Sequence, residues 1–133
     1  MNTYHGSAKQ VSAITGRGAF GGLFSSVDER AAASHGDVLH AIRSPKPLTD
    51  YALNYEVEGA WKAAVDVCGG DEDRAEAIMS PDCECDSEDP EDGLELQRLR
   101  GVLAARLGFT SIEMRDEHGT TWLCLPGCEI AAA

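Results

Sequence analysis

Four short stretches carry side chains able to do chemistry. Tyr4-His5-Gly6-Ser7 sets an imidazole and two hydroxyls around a glycine. With no Cβ there, a planar ligand can come close to the main chain. Taken alone, the same four residues also read as a partly buried histidine in a strand. Phe20-Gly21-Gly22-Leu23-Phe24 places two rings around a glycine pair, able to flank a flat ligand. Two core phenylalanines at a bend explain it equally well. The glycines do not form the Gly-x-Gly-x-x-Gly of a dinucleotide fold. Asp116-Glu117-His118-Gly119 joins two carboxylates to an imidazole between strand-like segments. Neighbours on a pleat point opposite ways, so at most one of Asp116 and Glu117 serves a site. Ser34-His35-Gly36 follows an alanine-rich segment, where an imidazole suits the negative end of a helix.

The elements that must position these residues are legible in outline. Asn2 to Gly6 reads as a first strand, followed by a flexible loop containing Gly16, Gly18, Gly21 and Gly22. Ser26 and Glu29 have capping-box spacing and predict a short helix through Ala31, Ala32 and Ala33. Val38 to Arg43 is a strand, stopped by Ser44-Pro45-Lys46-Pro47. A helix is expected from Tyr51 or Tyr55 to Cys68, ended by Gly69 and Gly70. Asp71 caps another helix to Met79, and 81–93 is a charged loop. Leu96, Leu99, Leu103 and Leu107 share one face of a helix spanning Leu94 to Leu107. Phe109 to Met114 and Thr120 to Leu125 form a hairpin around 115–119. The expected fold is α+β, in one domain of 133 residues, without Rossmann alternation.

Net charge is −12, and residues 71–92 hold eleven acids against Arg74 alone. That window carries −10 and the other residues −2. Binding to a phosphate backbone needs a basic face, so this balance disfavours it and no direct nucleic-acid partner is expected. An acidic inhibitor occupying a nucleic-acid groove is the alternative from outside enzymology. No apolar run spans a bilayer, so no membrane partner is expected. No basic-then-apolar leader opens the chain, so it is expected to stay in the cytosol where it is made. Five cysteines in a reducing compartment predict no disulfide framework. Cys83, Cys85, Cys124 and Cys128 lack the usual zinc-ribbon spacings, and no metal is expected.

Together the first-strand His-Gly-Ser, the aromatic glycine loop and a carboxylate beginning a late strand resemble the ADP-ribosyltransferase pattern. Stretches 19–24, 47–55, 96–103 and 116–127 are more closely similar to the type I-F anti-CRISPR ADP-ribosyltransferase family. The likeness covers nearly the whole chain except 81–92 and the last few residues.

The resemblance implies a small split-sheet ADP-ribosyltransferase core with inserted helices. It implies NAD as co-substrate and no metal. It also implies a target, the subunit of the type I-F CRISPR-Cas surveillance complex that reads the protospacer-adjacent motif, of the Cas8f type. On this likeness Tyr4, His5, Gly6 and Ser7 fall on the NAD-holding first strand. Phe20 and Phe24 fall on the aromatic loop. Ser34 and His35 stand where the wider superfamily carries a tyrosine pair. Asp116 stands at the catalytic carboxylate, where that superfamily prefers Glu. Such a carboxylate stabilises positive charge developing on the ribose and holds its 2′-hydroxyl. A toxin with another bacterial target shares this chemistry. The acidic segment is expected to dock on basic grooves of the target.

Overall fold

The computed structural model describes residues 1–133 except Ala19, Asp86 and His118. Seven strands form two sheets. β1 (Asn2–Ser7), β3 (Val38–Arg43) and β7 (Glu129–Ala132) make an antiparallel three-stranded sheet with β3 in the centre. β2 (Leu23–Ser25), β6 (Gly119–Cys124), β5 (Ser111–Asp116) and β4 (Pro47–Leu48) make a four-stranded sheet in that order. Five helices, α1 (Glu29–Ala33), α2 (Asp50–Tyr55), α3 (Ala60–Val67), α4 (Glu72–Ile78) and α5 (Pro90–Arg106), complete the described elements. The α+β class and the split sheet thus hold.

Strand alternation makes the layers. On β6, Trp122 and Cys124 face the three-stranded sheet and pack with Ile14 and Ile42. Leu123 faces the other way, into a larger core with Leu48, Leu53, Ile78, Leu96, Leu103, Ile112 and Met114. The four-stranded sheet is therefore buried on both faces, by the second sheet and by the helices.

Several boundaries differ from the sequence reading, each for a local reason. Asp28, not Ser26, caps α1: its carboxylate accepts from the Arg30 N–H at 2.9 Å. The helix expected up to Cys68 is two helices, because Gly59 adopts φ +77° between them. α5 begins at Pro90 rather than Leu94, with Asp89 as its cap and proline in its first turn. Asp116 ends β5, paired with Gly119 of β6, instead of beginning a strand. β2, β4 and β7 are additions the sequence reading lacks. Ser44-Pro45-Lys46-Pro47 leads directly into β4, which pairs parallel with β5. No helix among the described residues is long and apolar enough to cross a membrane.

Candidate functional site

β1 belongs to one sheet and β2 to the other, and the site candidates gather where they meet. The Tyr4 N–H donates to the Ser26 carbonyl at 2.7 Å, and the Ser26 N–H returns to Tyr4 at 2.9 Å. One residue on, His5 Nδ1 lies 2.6 Å from the Phe24 carbonyl, the acceptor that fixes the ring proton on Nδ1. Nε2 of His5 is thereby left as an acceptor. Thr3, Ser25 and Cys124 join the sheets from within: Ser25 Oγ donates to Thr3 Oγ1 at 2.6 Å and lies 3.1 Å from Cys124 Sγ.

Gly6 has a packing reason. A Cβ there would sit 2.0 Å from the Ala32 carbonyl oxygen, at the end of α1. Gly36 is equally constrained: its Cβ would lie 2.3 Å from the Ser7 carbonyl carbon. These contacts press the Ser34-His35-Gly36 turn onto the end of β1, so two of the sequence candidates become one corner. Both serine hydroxyls there bond locally, Ser7 to the Lys9 carbonyl and Ser34 to the Ala31 carbonyl at 2.7 Å. Each keeps lone pairs for a further donor.

Phe20 and Phe24 meet edge to face, ring centres 4.8 Å apart and planes at 77°. Both pack against the larger helical core. Phe20 also lines a cavity of about 330 Å³ together with Gly16, Gly18, Arg98, Val102 and Pro126. Phe24 is not among its lining residues.

Asp116 stands apart from this corner. It pairs with Gly119 at the end of the hairpin and is exposed. Ser25 pairs with Trp122, so Ser26 and its partner Tyr4 fall level with Thr121. Asp116 lies two residues further along, roughly 7 Å in rise, with β6 and β2 between. By strand alternation it follows Ile112 and Met114 onto the helix side, which also carries Phe24. Its neighbour Arg115 donates its N–H to the Pro81 carbonyl at 2.9 Å and pairs with Asp82 at 3.7 Å. The hairpin is thus tied to the acidic segment. His118 lies outside the described residues.

Two positions carry more than the sequence reading gave them. Arg100 is fully buried; its guanidinium donates to the Glu113 carbonyl at 2.8 Å, the Ile78 carbonyl at 2.7 Å and Asp50 Oδ1 at 3.1 Å. Burial lowers its pKa from the ordinary value. Glu113 in turn accepts the Asp50 N–H at 3.1 Å. This node fixes α2, α4 and β5 to α5. A signal existed: Arg100 falls four residues after Leu96 and three before Leu103, on the apolar stripe. His40, also fully buried, stands opposite His5 on β3.

All five cysteines are free. Cys83 is buried in the helical core, and burial pushes its thiol up to about 11. Cys124 and Cys128 lie between the sheets. A hydrogen bond from the Cys124 thiol pulls Cys128 down to about 6 and raises Cys124 itself. Of the four candidate thiols, Cys83 therefore lies in one core, Cys124 and Cys128 in the other, and Cys85 is exposed. Among the described residues no three His, Cys, Asp or Glu converge as a metal site.

The electrostatics separate the corner from the rest of the chain. Residues 1–27 contain Lys9 and Arg17 and no acid, in a protein of net charge −12.

A solved structure described as the crystal structure of an anti-CRISPR protein is 62% identical, with a TM-score of 0.95. The match covers 100% of this chain and 95% of that one. No curated protein matches the chain. The family model for the anti-CRISPR type I-F ADP-ribosyltransferase AcrIF11 matches residues 1–133. The chain belongs to that family, and is an NAD-dependent ADP-ribosyltransferase of the anti-CRISPR kind.

Proposed function

We propose that the enzyme uses NAD to mono-ADP-ribosylate the subunit of the type I-F surveillance complex that reads the protospacer-adjacent motif, the Cas8f-type subunit, and so blocks target DNA binding. The observation that carries the reading is the β1–β2 corner. It joins hydroxyl and imidazole groups to the chain's longest acid-free segment. That donor set fits NAD: ribose hydroxyls and a carboxamide meet Tyr4, His5, Ser7, Ser34 and His35, and Lys9 and Arg17 favour a pyrophosphate.

When bound, NAD supplies the ADP-ribosyl group, with nicotinamide as the leaving group. His5 Nε2 accepts from a hydroxyl, because Nδ1 is committed to Phe24. Gly6 lets the Ala32 carbonyl close against β1, which brings Ser34 and His35 beside the strand that carries His5. Phe20 and Phe24 provide aromatic surface for a flat ring. Asp116 is the proposed catalytic residue, its carboxylate stabilising positive charge at the ribose. Its place at an exposed hairpin end leaves it open to an acceptor on another protein.

The test is the intact mass of each subunit of a purified type I-F complex after incubation with the enzyme, with and without NAD. The expected result is one ADP-ribose on the Cas8f-type subunit, only with NAD. A gain on a different subunit would move the target. No NAD-dependent gain on any subunit would reject the reading.

A further inference from the structure

His40 occupies the middle of the three-stranded sheet, between His5 on β1 and Ala132 on β7. No part of it reaches solvent. Its two ring nitrogens do different work. Nε2 accepts the Val11 N–H at 2.8 Å. The ring proton therefore sits on Nδ1, which faces the His5 carbonyl at 3.3 Å. The two imidazole rings are 6.1 Å apart.

Val11 belongs to 8–22, the segment that leaves the first sheet after Ser7 and enters the second at Leu23. Among its described residues it forms no helix or strand, and it is held at separate points. His40 holds Val11. Ile14 is buried between the sheets against Ile42 and Trp122. Gly16 packs near Pro126. His40 also meets β1 directly, through the His5 carbonyl. A chain of contacts results: the Phe24 carbonyl, the His5 ring and backbone, the His40 ring, the Val11 amide. It runs from β2, through β1 and β3, to the loop that carries Lys9, Arg17 and Phe20.

We propose that His40 is a positioning residue for ADP-ribosyl transfer, pinning the 8–22 loop to β1 so that the loop and the Tyr4–Ser7 strand meet NAD as one rigid rim. The inference rests on the reading of β1 as the NAD strand. It assigns His40 no contact with NAD. An aliphatic side chain of similar size would fill the space yet leave the Val11 N–H without its acceptor. A pre-ordered loop binds without an ordering cost, so loss of the pin should appear in NAD binding rather than in the chemical step.

The ring's two functions can be separated with amides. The side-chain nitrogen of His40→Asn reaches the place of Nδ1 and keeps a donor toward His5, but offers Val11 nothing. The oxygen of His40→Gln reaches the place of Nε2 and keeps the acceptor for Val11. The readouts are KM and kcat for NAD, amide exchange at Val11, and thermal stability. For His40→Asn the expected result is a KM raised about tenfold, a kcat within about twofold, and faster Val11 exchange. His40→Gln should restore both KM and Val11 protection. Val11→Pro removes the N–H from the loop side with His40 intact, and should raise KM as His40→Asn does. Wild-type KM in both His40→Asn and Val11→Pro would overturn the proposal. So would equal falls in kcat, kcat/KM and stability in His40→Asn and His40→Gln alike. Absence of NAD-dependent transfer by the wild-type enzyme would instead refute the functional reading itself, while Val11 exchange would still report on the pin.

Discussion

Residues 1–27 and residues 71–92 are opposites within one chain. The first carry two bases and no acid; the second carry eleven acids and one base. The first are glycine-rich and owe their order to distant partners: Tyr4 to Ser26, His5 to Phe24, Val11 to His40. The second organise themselves over short range. Asp71 caps α4 through the Arg74 N–H at 3.1 Å, and Asp89 caps α5 through the Glu91 N–H at 3.0 Å. Glu72 and Asp73 occupy the first turn of α4, and Glu91 and Asp92 that of α5, where negative charge meets the positive helix end. Charge density alone would have marked the acidic segment as the functional one. Much of that acid serves helix starts, and NAD binding is proposed where charge is scarce.

The contrast can be broken first at the node beside the acidic segment. Arg100→Met should cost about 3–5 kcal/mol of stability, because the Ile78 and Glu113 carbonyls and Asp50 lose a buried partner together. Urea unfolding measures it, and a loss under about 1 kcal/mol would show that α4 and β5 are held otherwise. Asp116→Asn comes next. Transfer should fall roughly 10²-fold or more, with NAD affinity nearly unchanged. Wild-type rates for that variant would transfer the role to another carboxylate, Glu117 first.

Smaller effects sharpen the comparison. His5→Ala should weaken NAD binding about tenfold by calorimetry, while losing the hydrogen bond to Phe24 costs about 1 kcal/mol of stability. An unchanged dissociation constant would return His5 to a purely architectural part. Amide replacement of Asp82, Glu84, Asp86, Glu88, Asp89 and Glu91 should slow association with the target a few-fold at low salt, an effect that fades at high salt. Asn at position 89 keeps the α5 cap, and thermal unfolding of the variant checks what the loss of the Asp82 and Glu91 charges costs the fold. Equal association rates at every salt concentration would limit these acids to capping and solubility. Asp86 lies outside the described residues.

What the sequence made legible was what short-range chemistry decides. The leucine spacing of α5 located the helix, and Asp71 announced α4. The α5 start was hidden because Asp89-Pro90 reads as one more piece of an acidic run. β2 has three residues, too few for an alternation to register, and exists because β6 lies beside it. His40 has no local signature at all, since its acceptor role is set by an amide 29 residues away. The likeness of Tyr4-His5-Gly6-Ser7 to a family motif singled out β1, yet could not show that Ser34-His35-Gly36 is pressed against it. That fact resides in two missing Cβ atoms.

Those two glycines bear on how the enzyme can be interrogated. At Gly6 and Gly36 the main chains of β1 and of the turn after α1 are in direct contact. A methyl group at either place acts as a wedge between strand and turn, whatever ligand the corner holds. A Gly6→Ala enzyme that lost NAD binding would therefore report on a displaced backbone, and would say little about the contact it was made to probe. Side chains around the corner, His5, Ser7, Ser34 and His35, are the informative handles; the glycines between them behave as a hinge pin that tolerates no shim.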